Sequence, residues 1–161
     1  MAPALTQIHP MLTPDVVEVH VEETDKFDVI GRMVDLLNGE NESIHDIDQV
    51  REAVFSREKR MSTGVGKGLG LPHAKSPAVE KTLAAFATTK TPIDFDAIDG
   101  QPVQIIFLLV GPESAKSQHI KLLSRISRLM NRQELRESLL KANTPAEIIE
   151  VFRENETKFT R

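Results

Sequence analysis

Residues 103 to 110 read Val103-Gln104-Ile105-Ile106-Phe107-Leu108-Leu109-Val110, an almost unbroken apolar run. A strand with one wet face alternates apolar and polar residues, whereas a run like this is apolar on both faces and needs cover on both. Its longest stretch, Ile105 to Val110, is too short to cross a bilayer. The rest of the chain must therefore supply layers above and below it. Phe27, Ile30, Val34 and Leu37 recur at three- and four-residue spacing between Thr24, a candidate N-cap, and Gly39 at the C-terminal end. Ile47, Val50 and Val54 mark a second helix to about Lys59, and Ile120, Leu123, Ile126 and Met130 stripe a third from Ser117 to Met130. Further helices are predicted over Gln133 to Lys141 and Pro145 to Glu154, the latter opened by the capping box Thr144-Pro145-Ala146-Glu147. Val16 to Val21, Leu69 to Leu71 and Leu83 to Thr89 read as additional strands. The expected fold is α/β, a single-domain three-layer α/β/α sandwich around a mixed sheet.

A length of 161 residues with 40% hydrophobic content suits one domain with its own core. The domain is expected over residues 14–155, with an N-terminal tail at 1–13 and a C-terminal tail at 156–161. There is no cysteine, which excludes disulfides, thiolate metal sites and cysteine nucleophiles. The N-terminus lacks the basic and apolar stretch of a signal peptide, so a cytoplasmic protein without membrane insertion is expected. Residues 1 to 50 hold eleven acids against Lys26 and Arg32, and residues 51 to 161 hold eighteen Lys or Arg against thirteen acids. With a net charge of −4, the chain gives no case for nucleic-acid binding.

Just ahead of the central run lies Arg57-Glu58-Lys59-Arg60-Met61-Ser62-Thr63-Gly64-Val65-Gly66-Lys67-Gly68-Leu69-Gly70-Leu71-Pro72-His73. Half of the chain's eight glycines fall within the seven positions 64 to 70. Such a segment is able to surround an anion with main-chain N–H groups, and Pro72 fixes the chain just before an imidazole. It equally encodes a glycine-rich turn and edge strand ending in a histidine that only packs. Nucleotide loops fail on spacing: Lys67 is followed by Gly68 where a P-loop has Ser or Thr, Met61 stands where its first glycine belongs, and Leu69 breaks a GxGxxG pattern.

The ordered combination of Arg57-Glu58, Ser62-Thr63-Gly64, Gly68-Leu69-Gly70-Leu71-Pro72-His73, Asp94-Phe95-Asp96-Ala97-Ile98-Asp99-Gly100-Gln101-Pro102-Val103 and His119-Ile120-Lys121-Leu122-Leu123-Ser124 resembles the type-2 enzyme IIA domains of the bacterial phosphoenolpyruvate-dependent phosphotransferase system, over residues 14–155. These are its fructose, mannitol and nitrogen-related members. The resemblance implies a phosphotransferase that works through a phosphohistidine. It makes His73 the phosphoacceptor, His119 the second active-site histidine that stabilises the phosphoryl group, and Arg57 a phosphate ligand; by itself Arg57 reads as a solvated residue answering a helix dipole. It also implies phosphorylated HPr as donor and, as recipient, either an enzyme IIB in sugar (fructose-like) uptake or a regulatory protein in nitrogen-related control. Neither a cofactor nor a metal is called for. Gly70 departs from the family, which usually has alanine there, and is expected to loosen the strand before His73.

His119 falls about one turn into its predicted helix, where unpaired N–H groups and the positive helix end favour an anion. His9, His20 and His45 read as surface residues. Asp94, Asp96 and Asp99 read as a solvated loop; with His73 and His119 they offer donors to a metal, but no HxxxH or HExxH spacing supports one. The competing class of function is a non-catalytic regulatory interaction module that retains the fold.

Overall fold

The structure is a computed structural model and describes residues 7–38 and 42–159. Its six-stranded mixed sheet has β6 (Val103–Gly111) at its centre. On one side β6 pairs antiparallel with β5 (Leu83–Ile93), which pairs parallel with β1 (Val17–Val21). On the other side two short strands lie end to end against it, β3 (Leu69–Gly70) beside Ile105 and Ile106, and β4 (His73–Lys75) beside Leu109 to Gly111, both parallel. β2 (Gly64–Gly66) closes a hairpin onto β3. Of β6, only Gln104 is less than fully buried, as its composition predicts.

Helices cover the sheet. α1 (Lys26–Asn38) packs on β5 and on α2 (Ile47–Arg60), while α3 (Lys116–Met130) and α4 (Gln133–Lys141) pack on β6 and α5 (Pro145–Phe159) on β1. Phe86, Phe107 and Phe152 meet edge-on at 5.4 to 6.1 Å between centroids and tie β5, β6 and α5 together. Full burial of such a side chain stabilises by about 1.5–3 kcal/mol. Asp46 caps α2 by accepting from the N–H groups of Asp48 and Gln49. The expected cap at Thr24 is displaced to Asp25, whose carboxylate reaches the Phe27 and Asp28 N–H groups at 3.0 and 3.2 Å; Gly39 lies outside the described residues. At α5 the Glu147 N–H donates to Thr144 Oγ1, and the Glu147 carboxylate reaches back to the Asn143 N–H.

The described parts of both expected tails take part in the fold. Ile8 and Leu12, four residues apart around a 3-10 turn at His9–Met11, are buried in the core. α5 runs on past Glu154, and Glu156, 1% exposed, accepts from the Ile8 and His9 N–H groups, from His9 Nδ1 and from Arg125 Nε at 2.6 to 2.9 Å. Burial opposes charge on the Glu156 carboxyl, and these donors outweigh it and hold its pKa below the ordinary value. His9 is thus half of a clamp, not a free surface residue.

The glycine run is used for close approach. A Cβ at Gly64 would lie 2.8 Å from Ala97, and one at Gly70 would lie 2.9 and 3.0 Å from the ring of fully buried Phe95. Gly66 and Gly68, at φ of +101° and +80°, turn the hairpin. Gly70 therefore leaves no loosened strand, because Phe95 occupies the space. Replacing Gly70 with alanine is expected to overpack the site and destabilise by about 1–3 kcal/mol in urea unfolding, and adding Phe95→Leu should recover part of the loss.

Candidate functional site

Among the described residues β4 pairs only with β6, so His73 stands on an edge strand; α2 packs against β4 and α3 against β6. Between them is an open depression of about 740 Å³ lined by Arg57 and Arg60 of α2, His73 and Lys75 of β4, and His119 and Ile120 of α3. Glu113, in the 3-10 turn before α3, is the one acid among its lining residues. The arrangement favours an anion.

The His73 ring meets the Leu71 carbonyl oxygen through Nδ1 at 2.7 Å. A carbonyl only accepts, so Nδ1 carries the proton and Nε2 presents a lone pair. Burial, above all, pushes the pKa of His73 down; the Leu71 carbonyl opposes this and the Arg57 charge adds to it. The ring is therefore neutral at pH 7, as a nucleophile requires.

His119 lies beside it, the two rings 5.8 Å apart between centroids and inclined by 54°. It is 4% exposed, and both of its ring nitrogens are buried without a hydrogen-bond partner among the described residues. Burial, reinforced by His73 and Lys75, lowers its pKa to about 4. An orphaned buried donor is costly unless something meets it during function. Gly111 lies beside this ring; a Cβ there would crowd Thr82 Oγ1 at 3.1 Å and meet His119 Nδ1 at 3.4 Å in ordinary contact. α3 begins at the site without a side-chain cap, leaving its first N–H groups to other partners.

Arg57 serves in two ways. Its Nη1 donates to the Met61 carbonyl at 2.6 Å, satisfying the end of α2 as the dipole reading has it, and the side chain also lines the depression. Three N–H groups of the glycine segment are spent within the fold and not on an anion at His73. Gly64 N–H donates to Ser62 Oγ, Lys67 N–H to Asp99, and Leu71 N–H to the Thr63 carbonyl, so they build the hairpin and fasten the acidic loop to it. Asp99 accepts from the Lys67 and Gln101 N–H groups, which hold its pKa below the ordinary value. His20 and His45 pair on the surface with Asn143 and Glu80.

Lys75, Arg60 and Gly111 were not singled out in the sequence, although spacing carried a signal for two of them. Lys75 follows His73 by two along a strand, and Arg60 follows Arg57 by three on a helix, so each pair shares a face. Ile120, lining the depression, is 57% exposed, and Met61, whose carbonyl holds Arg57, is 70% exposed. Among the described residues, no helix is long and apolar enough to cross a membrane.

Comparison with known proteins identifies the domain that carries these two histidines. Residues 10–155 match the family model "Phosphoenolpyruvate-dependent sugar phosphotransferase system, EIIA 2", and the chain belongs to this family of phosphocarriers, phosphotransferase components with a phosphohistidine. It is 33% identical over 150 residues to the PTS system fructose-specific EIIABC component of Bacillus subtilis (strain 168), covering 93% of this chain and 24% of that protein. It is 44% identical over 103 residues to a nitrogen regulatory protein of Bradyrhizobium diazoefficiens, covering 64% of each. The chain thus spans less than two thirds of the length of these two relatives. The crystal structure of nitrogen regulatory protein IIA-Ntr from Neisseria meningitidis superimposes with a TM-score of 0.83 at 33% identity, over 89% of this chain and 97% of that one. The mannitol IIA of Escherichia coli shares the fold with a TM-score of 0.74 at 17% identity, over 88% and 98%.

Proposed function

We propose that the chain is a cytoplasmic phosphocarrier in which His73 takes a phosphoryl group from phosphorylated HPr and passes it to an enzyme IIB or uses it to control binding to a regulatory protein. The observation that carries this reading is the pairing of an imidazole whose Nδ1 proton is already committed to Leu71 with a second imidazole whose buried nitrogens have no partner among the described residues. In the reaction, His73 Nε2 forms a bond to phosphorus in line as the P–N bond of the donor breaks, and the donor imidazole departs with that electron pair. The His73 ring becomes positive as the bond forms, and the Leu71 carbonyl oxygen accepting from Nδ1–H stabilises it. Whichever nitrogen of neutral His119 carries its proton then has a phosphoryl oxygen to donate to, and Arg57, Arg60 and Lys75 offset the remaining charge. One imidazole replaces another, so the transfer is near-balanced and needs no nucleotide.

The likeness to IIA-Ntr of Neisseria meningitidis, with a TM-score of 0.83 at 33% identity over 97% of that chain, supports the signalling use. Phosphorylation adds up to about two negative charges beside exposed Ile120, which repels a partner suited to the bare face, whereas a IIB must accept the phosphate to receive it. Phosphorylated and unphosphorylated chains used separately as bait, followed by a chase of the label, separate the two. We expect a partner retained by one form only, with no onward transfer; movement of the label to a IIB protein supports transport instead. If neither form retains a partner nor passes on its phosphate, the relay is wrong and only acceptor chemistry remains.

A further inference from the structure

Glu58 is buried at 2% exposure at the end of α2, and nothing in the transfer step described above uses it. Its Oε2 accepts from Lys26 Nζ at 3.1 Å and from the Thr63 N–H at 3.0 Å, and its Oε1 accepts from Thr63 Oγ1 at 2.5 Å. Thr63 is itself 2% exposed and opens the glycine segment. Its carbonyl accepts from the Leu71 N–H at 2.9 Å. One residue further, the Leu109 N–H holds the Pro72 carbonyl at 3.1 Å. Leu71 is thereby pinned on both sides, and its carbonyl is the group that receives the His73 Nδ1 proton.

We propose that Glu58 is a positioning residue for the phosphoacceptor: through Thr63 and Leu71 it fixes the carbonyl that keeps His73 protonated at Nδ1 and free at Nε2. This rests on His73 being the acceptor. A lone imidazole in water exchanges its proton between the two nitrogens, and the Nε2–H form has no lone pair where the phosphorus must arrive. Selecting the tautomer therefore multiplies the reactive population, and partners that orient ligating histidines in the same manner are worth about 10- to 100-fold. Lys26 is part of the device, since it also donates to the Phe95 carbonyl at 3.3 Å and so ties the acidic loop to the same carboxylate.

The test replaces the pair with apolar side chains of similar length, Lys26→Met together with Glu58→Met, because a buried ion pair exchanged as a whole is commonly tolerated while a half-pair is not. Long-range proton–nitrogen NMR of the His73 ring reads the tautomer, and single-turnover transfer from phosphorylated HPr reads rate and saturation. We expect a folded variant with a mixed His73 tautomer and a maximal transfer rate down about tenfold at unchanged half-saturation. Lys26→Met together with Glu58→Gln, whose amide oxygen still accepts from the Thr63 N–H, should restore both. If the double variant does not fold, Thr63→Val carries the same test at smaller amplitude, roughly fivefold for one lost hydrogen bond. A folded variant with the wild-type tautomer and rate overturns the proposal. Absence of phosphate on His73 of the wild-type chain overturns instead the assignment of the acceptor, and it leaves the NMR result standing, so the two failures are distinct.

Discussion

His73→Ala is expected to take up no phosphate from phosphoenolpyruvate, enzyme I and HPr under conditions in which the wild-type chain takes up one. The side chain is half-buried, and its one hydrogen bond among the described residues is the Nδ1 contact to Leu71, while its backbone remains in register with Leu109. Truncation therefore removes the nucleophile without opening the core, and the variant should unfold in urea near the wild-type midpoint. Intact mass and peptide mapping under alkaline conditions check the outcome, since a phosphoramidate is stable to base and labile to acid. Label appearing at His119 in the variant would reverse the roles of the two rings. The geometry speaks against that: His119 is 4% exposed with both nitrogens buried, whereas His73 is only half-buried and its Nε2 is not held by Leu71.

Much of this was legible in the residues before any coordinates. The run from Val103 to Val110 demands cover on both faces, and the helical stripes that provide it are set by spacing alone. β4 was not legible as a separate element. Three residues carry no periodicity, and His73–Lys75 becomes a strand because β6 offers it an edge. Thr24 and Asp25 are both N-cap types, and only geometry tells which carboxylate or hydroxyl reaches the free N–H groups. The glycine run misled in a specific way. Glycine permits close approach, but the sequence does not name what approaches; here it is Ala97 and Phe95, not a phosphate. The clamp of Ile8 and His9 on Glu156 joins residues nearly a whole chain apart, and no local pattern predicts it. His73 and His119 are paired in the sequence only through the family resemblance, because their proximity depends on two elements distant in the chain, β4 and α3, meeting at one depression.

The second large effect concerns His119, and two independent readouts should move together. His119→Ala keeps the nucleophile but loses a donor that otherwise has no partner, and loss of one such donor costs about 3 kcal/mol in the transition state, roughly a hundredfold in rate. Arg57→Ala should slow transfer in the same direction but by less, since part of its side chain is spent on the Met61 carbonyl. The other readout is stability against pH. Burial, with the charges of His73 and Lys75, lowers the folded-state pKa of His119 from 6.5 to about 4. Between those values the unfolded chain binds the proton and the folded chain does not, so stability declines as pH falls from 6.5 toward 4 and this contribution levels off below. For a shift of this size the decline attributable to His119 is about 3 kcal/mol. Removing the ring should therefore flatten the acid side of the urea-unfolding curve in that window while slowing transfer at pH 7, where the ring is neutral. A phosphoryl group on His73 reverses the electrostatics, because its negative charge favours the protonated His119 ring. Phosphorylated wild-type chain should then show a His119 titration moved upward from about 4 by NMR, and a titration unmoved by phosphorylation would mean that His119 does not face the transferred group.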